Sequence, residues 1–160
     1  MVAPVQVHLP DERATHDLGA QVATVLRPGM SVHLSGDLGT GKTTLARGLI
    51  QALGFAGRVK SPSYTLVEPY EDSRLSLYHF DLFRFHDPQE WRDAGFRECF
   101  NERSICLVEW PERAAGLLPP ADLRVVLSVP SGGGRDAMLD AHTERGRTCL
   151  TALAQRLSTA

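Results

Sequence analysis

Gly36-Asp37-Leu38-Gly39-Thr40-Gly41-Lys42-Thr43 matches the phosphate-binding loop pattern G-x-x-x-x-G-K-[ST] at all four fixed positions. Upstream, Met30-Ser31-Val32-His33-Leu34-Ser35 reads as a short buried strand. Downstream, the stretch from Lys42 to Leu53 sets Leu45, Leu49, Ile50 and Leu53 at helical spacing. Gly54 stands where a left-handed residue would end that helix. A strand, a glycine-rich loop and a helix in this order form the context in which the motif works. The glycines let the backbone curl, so that successive N–H groups and the positive end of the helix face an anion. Lys42 then reaches the β and γ phosphates of a nucleotide, and the Thr43 hydroxyl sits on Mg²⁺. A plain glycine turn leading into a helix would require neither side chain.

Outward from the loop, the pattern predicts an α/β fold. Val5 to Leu9 reads as an edge strand, and Asp11-Glu12 as the cap and first turn of a helix running to about Leu26. Pro28-Gly29 breaks the chain before the loop's strand. Beyond the loop's helix, Ser61-Pro62-Ser63 marks a second loop. Tyr64 to Tyr70 and Leu75 to Asp81 are expected as strands of a hairpin turning at residues 71–74. Pro88 opens a helical patch that reaches Phe100 and is interrupted at Gly95. The apolar run Ile105-Cys106-Leu107-Val108 has the character of a central strand. Leu123 to Val129 and Ala137 to Ala141 suggest two late strands around Ser131-Gly132-Gly133-Gly134, and a last helix covers roughly Arg147 to Leu157. The expected architecture is a single P-loop NTPase-like domain over residues 1–160. Its central sheet is mostly parallel and flanked by helices, with an antiparallel hairpin extension.

Composition agrees with one globular domain. The 160 residues are 42% hydrophobic and 22% charged, and 17 basic side chains face 19 acidic ones for a net charge of −2. A protein that grips nucleic acid unaided carries a basic excess, which this chain lacks. Cys99, Cys106 and Cys149 form no C-x-x-C pair and read as reduced, buried thiols. The six histidines show no i, i+4 pairing that would suggest a metal site. No apolar run approaches membrane-spanning length and the start lacks the pattern of a signal peptide, so a cytoplasmic protein is expected.

A phosphate loop needs a carboxylate to hold Mg²⁺ or its waters, usually at the end of a hydrophobic strand. Two positions qualify. Glu109 follows the wholly apolar run and is the first choice for the metal, beside the phosphate-loop strand. Asp81 follows the more mixed Leu77-Tyr78-His79-Phe80, which suits a flanking strand, and could orient an attacking water or the metal's hydration. No Asn-Lys-x-Asp sequence of the guanine-reading kind occurs, which favours ATP. Arg84 and Arg113 lie close behind the acids. They are more readily read as solvated or ion-paired than as phosphate ligands, and Trp110 as core or interface packing.

With these pieces in place, the chain closely resembles the bacterial TsaE (YjeE) family of tRNA threonylcarbamoyladenosine biosynthesis ATPases. Five blocks carry the likeness: Leu9-Pro10-Asp11-Glu12 with Thr15, the phosphate loop through Thr44, Ser61 to Tyr70, Tyr78 to Arg84, and Leu107-Val108-Glu109-Trp110-Pro111-Glu112. The resemblance implies a small ATPase that works with the TsaB and TsaD proteins. That complex builds the threonylcarbamoyl group onto adenosine 37 of tRNAs reading codons that begin with A, with ATP turnover resetting it and tRNA reached only through the partners. Carried over by position, Thr43 and Glu109 match the family's Mg²⁺ ligands, Lys42 its phosphate lysine and Asp81 an acid needed for hydrolysis. Gly39, Thr40, Gly41 and Thr44 complete the cradle, Glu12 lies where the family approaches the nucleotide, and Ser61 to Thr65 matches a switch-like loop. Phe83 stands where the family usually has Tyr, and the glycine-rich segment from Ser131 onward matches little and receives no function.

Two other functions share the loop. A small-molecule kinase would carry an arginine-rich lid, and no such cluster is visible in the sequence. A nucleotide-dependent binding module would use ATP to order a surface, with incidental hydrolysis.

Overall fold

Two strands at the centre of the sheet fix the position of everything else. β2 (Ser31–Ser35) and β5 (Ser104–Glu109) run side by side in parallel, with Leu34 opposite Glu109. All six residues of β5 are buried. Strands covered on both faces carry near-continuous apolar runs, and this is why Ile105 to Val108 show no polar alternation. The computed structural model describes residues 2–158.

Among the described residues, the sheet around this pair has seven strands. In spatial order they are β1 (Val5–Leu9), β7 (Arg135–Ala141), β6 (Leu123–Ser128), β2, β5, β4 (Ser76–Asp81) and β3 (Val67–Glu71). The central four, β6, β2, β5 and β4, are parallel. β3 adds antiparallel to β4 as the expected hairpin, and β7 and β1 extend the opposite edge, also antiparallel. Parallel neighbours bring their carboxyl ends to the same edge. Ser35, Asp81 and Glu109 therefore finish together, with Asp81 directly opposite Glu109.

Three helices cover one face: α1 (Glu12–Ala23), α2 (Lys42–Ala52) and α4 (Glu144–Ser158). Asp11 caps α1 by accepting the Ala14 N–H at 2.8 Å. α1 and α2 meet through reciprocal glycines. A Cβ on Gly48 would lie 2.0 Å from the His16 carbonyl oxygen, and one on Gly19 would lie 2.1 Å from that of Leu45. This contact seats the start of α1, with Glu12 and Thr15, against the phosphate loop at the head of α2. On the other face, α3 (Pro88–Asp93) and a 3-10 turn at Phe96–Cys99 enclose an aromatic cluster. There Phe80 lies 5.8 Å from Trp91, 5.4 Å from Phe96 and 5.6 Å from Phe100, centroid to centroid.

Most boundaries follow the sequence pattern, and the departures have local causes. Tyr64 to Leu66 are not in the strand expected there. Leu66 takes a left-handed backbone with φ 70°, which turns its side chain into the core and lends its carbonyl to the Asp81 N–H at 2.9 Å. α4 starts a turn earlier than expected because Thr143 caps it, accepting the Gly146 N–H at 3.0 Å. Buried Asp122 clasps that start to β2. Its carboxylate accepts from Thr143 Oγ1 at 2.6 Å, Arg145 Nε at 2.8 Å and the Ser31 N–H at 2.8 Å. A 3-10 turn at Pro111–Ala114 was not expected from the sequence. No helix among the described residues is long and apolar enough to cross a membrane.

Candidate functional site

The loop between β2 and α2 depends on its glycines. Gly36 has φ 146°, and a Cβ there would meet the Leu127 carbonyl oxygen at 2.6 Å; Gly41, with φ 105°, caps α2 without a side chain. An uncapped helix start leaves its first N–H groups free for an anion. Lys42, nearly fully buried, folds back over the loop. Its ammonium donates to the carbonyls of Gly36 and Asp37, the latter at 2.9 Å, and lies 4.3 Å from the centre of the Trp110 ring. Burial pushes the Lys42 pKa down, and the nearby Glu109 and Asp81 carboxylates oppose that shift. A polyphosphate at the loop would replace those carbonyls as the partner of the ammonium.

Thr43, one residue along α2, donates its hydroxyl to Glu109, 3.1 Å from Oε1 and 3.3 Å from Oε2. Donation to the carboxylate leaves the oxygen lone pairs of Thr43 free. The hydroxyl and the carboxylate are both hard oxygen ligands, the kind Mg²⁺ takes from proteins one or two at a time while keeping several waters. The pair fits that ion. Beside it, buried Asp81 is held at both oxygens, Oδ1 by the Phe83 N–H at 3.0 Å and Oδ2 by the Ser61 hydroxyl. Ser61 thus ties the second loop to the end of β4.

These groups line a cleft of about 480 Å³ whose wall includes Lys42, Thr43, Ser61, Asp81, Glu109 and Trp110. Trp110 leaves the end of β5 with a left-handed backbone, φ 59°, and packs against Phe83 at 5.0 Å between ring centroids. Arg84 and Arg113 hold their guanidinium groups over aromatic rings, Arg84 over Tyr64 at 4.5 Å and Arg113 over Phe83 at 5.4 Å. On the other side of the loop a second cleft, about 340 Å³, is bordered by Glu12, Thr15, Thr40 and Arg135. Gly39, Gly41 and Thr44 line both clefts. Every residue singled out from the sequence as catalytic, nucleotide-binding or metal-holding therefore stands at one edge of the sheet, within two clefts that share the loop.

The sequence model of the family described as threonylcarbamoyl adenosine biosynthesis protein TsaE matches residues 9–136. The chain belongs to the TsaE family. A TsaE relative from Haemophilus influenzae, named tRNA threonylcarbamoyladenosine biosynthesis protein TsaE, is 43% identical over 150 residues, covering 91% of this chain and 94% of that protein. A Bacillus subtilis protein of the same name is 38% identical over 113 residues, 71% of this chain and 70% of the relative. Among solved structures, the crystal structure of Bacillus subtilis YdiB superposes with a TM-score of 0.81. It has 28% identity over 98% of this chain and 97% of that one.

Two residues of this TsaE chain reach the site without having been expected there. Arg135 at the head of β7 donates from Nε to the Thr40 carbonyl at 3.1 Å and from a terminal nitrogen to the Gly39 carbonyl at 3.0 Å. It follows the glycine-rich segment to which no function was given, and only the antiparallel return of β7 carries it to the loop. His79, fully buried on β4, places Nε2 2.6 Å from Glu109 Oε2. Its position two residues before Asp81, on the same face of the strand, was the available signal. A third cavity, about 400 Å³, opens across the sheet from α2 and is lined in part by His33, Arg124 and His142. Burial, with Arg124 and His142 adding to it, drives His33 down to about 4, so that ring is uncharged at neutral pH.

Proposed function

We propose that this chain is an Mg²⁺-dependent ATPase that acts with TsaB and TsaD proteins in forming the threonylcarbamoyl group on adenosine 37 of tRNAs reading ANN codons. The biological setting rests on membership of the TsaE family and on the relatives' names. The chemistry rests on one observation above the others: the hydroxyl of Thr43 and the carboxylate of Glu109 meet beside the phosphate loop. The backbone N–H groups of residues 39–44 and the Lys42 ammonium hold the phosphates. Thr43 and Glu109 would hold the metal, which when bound would offset charge on the phosphates. Asp81, fixed by Ser61 and the Phe83 N–H, accepts a hydrogen bond from the attacking water and sets its line of approach. Glu12, across the loop, borders the second cleft, where it meets the nucleotide. The net charge of −2, without a basic excess, supports contact with tRNA through the partners.

The roles separate in a binding and turnover experiment. Lys42→Ala should lose nucleotide binding, because the ammonium is the loop's one buried cation for phosphate. Asp81→Ala should bind ATP about as well as the parent chain and lose turnover by roughly 100-fold or more. Variants that bind and hydrolyse like the parent would sink the ATPase reading. A multiple-turnover tRNA modification assay with TsaB and TsaD, with and without this chain, tests its place in the pathway. If Asp81→Ala with ATP bound supported repeated modification fully, the nucleotide would serve as a binding switch and hydrolysis would be incidental.

A further inference from the structure

His79 occupies a position that an apolar side chain would fill at less cost. It lies on β4 between Leu77 and Asp81 on the face toward α2, opposite Leu107 of β5, and has no solvent exposure. Leu77, Ile105 and Leu107 around it belong to the hydrophobic core. An imidazole buried there loses its hydration and recovers it only through hydrogen bonds. One ring nitrogen recovers it: Nε2 meets Glu109 Oε2 at 2.6 Å. The other, Nδ1, is buried with no hydrogen-bond partner among the described residues. A carboxylate only accepts, so the hydrogen of this bond sits on Nε2 and the tautomer is fixed by Glu109.

We propose that His79 is a positioning residue that holds the carboxylate of Glu109 in the orientation needed at the metal. This rests on the reading that Thr43 and Glu109 hold Mg²⁺. The diagonal placement, with His79 two residues short of the pair Asp81 and Glu109, lets the ring reach along the sheet face and take one carboxylate oxygen from below. Oε1 stays nearer to the Thr43 hydroxyl, at 3.1 Å against 3.3 Å for Oε2. The constraint matters because a glutamate freed from His79 can swing its flexible side chain away from the Thr43 hydroxyl, which takes the carboxylate from the metal while Lys42 stays available to the phosphates. Groups that orient a ligating side chain in this way typically affect metal affinity by one to two orders of magnitude.

The test uses purified full-length chain and a fluorescent ADP analogue, titrated in EDTA and then with Mg²⁺ at fixed nucleotide. His79→Leu fills the same space without a donor. Its nucleotide affinity in EDTA should stay within about twofold of the parent, while the Mg²⁺ concentration at half-effect should rise roughly tenfold. His79→Gln, whose amide N–H reaches the position of Nε2, should bring that concentration back to within about threefold. His79→Asn, with an amide too short to reach Glu109, should behave like His79→Leu and serves in its place should the leucine variant not fold. An unchanged Mg²⁺ response in the donor-less variants, or an equal loss in His79→Gln, overturns the positioning role. Glu109→Ala is the separate control. If the parent chain shows no Mg²⁺ response, or Glu109→Ala retains it, the metal site itself is misread. If Glu109→Ala abolishes the response and His79→Leu leaves it intact, only the inference about His79 fails.

Discussion

Arg135 directs its guanidinium at backbone rather than at a carboxylate. Of its three hydrogen bonds, one goes to the neighbouring Gly134 carbonyl and two go to the Gly39 and Thr40 carbonyls, which the curl of the phosphate loop turns outward. Hydrogen bonds from charged donors are worth about 1.5–3 kcal/mol each, more than ordinary ones. Arg135→Ala should therefore loosen the loop and lower nucleotide affinity by about tenfold, with a smaller effect on global stability. Arg135→Lys separates the two ways this residue can act. It keeps the positive charge beside the second cleft but lacks a planar fork able to bridge two carbonyls. Equal losses in the two variants, measured by nucleotide titration, would assign the effect to loop geometry. Full affinity in the lysine variant would assign it to charge.

At the level of elements, the phosphate loop is held from both ends by packing that the sequence encodes unevenly. The helical spacing of Leu45, Leu49 and Ile50 was enough to find α2, and the apolar run before Glu109 was enough to find β5 and place it beside β2. Both signals are local periodicities, and they survive without tertiary information. What was not legible is which surfaces meet. Gly19 and Gly48 carry no local signal of a contact, since glycine inside a helix only costs up to about 1 kcal/mol relative to alanine. In the fold they are the contact that sets α1 against α2. Left-handed Leu66 was equally hidden, because nothing in its residue type announces a positive φ. The glycine contact gives a prediction whose sign decides it. Helix propensity alone would have Gly48→Ala stabilise the protein. A Cβ 2.0 Å from the His16 carbonyl oxygen demands instead that the helices part. Overpacking of this kind costs about 1–3 kcal/mol, so Gly48→Ala should unfold at lower denaturant and bind nucleotide more weakly as the head of α2 shifts. A stabilised variant in urea unfolding would show that the crossing has slack.

Across the whole molecule, the site draws on segments far apart in the chain: the start of α1, the loop before α2, Ser61, the ends of β4 and β5, and the head of β7. The motif and its two acids were visible because strand-end carboxylates and the loop carry their chemistry in local sequence. Glu12 was reached only through the family resemblance, and Arg135 depends on sheet order, which periodicity does not report. A ligand gripping all these segments must stabilise the fold as a unit, because unfolding any one of them gives up the binding energy. At a free nucleotide concentration of 100 times Kd the gain is about 2.7 kcal/mol. For a chain of 160 residues that is a rise of roughly 5–10 °C in Tm. ADP with Mg²⁺ should produce that rise in the parent chain, and EDTA should remove the part that Mg²⁺ adds. Glu109→Ala should keep the shift seen in EDTA and gain nothing from the metal, whereas Lys42→Ala should show almost no shift. A parent chain whose Tm ignores ADP and Mg²⁺ at saturating concentration would mean that the two clefts do not bind one nucleotide between them.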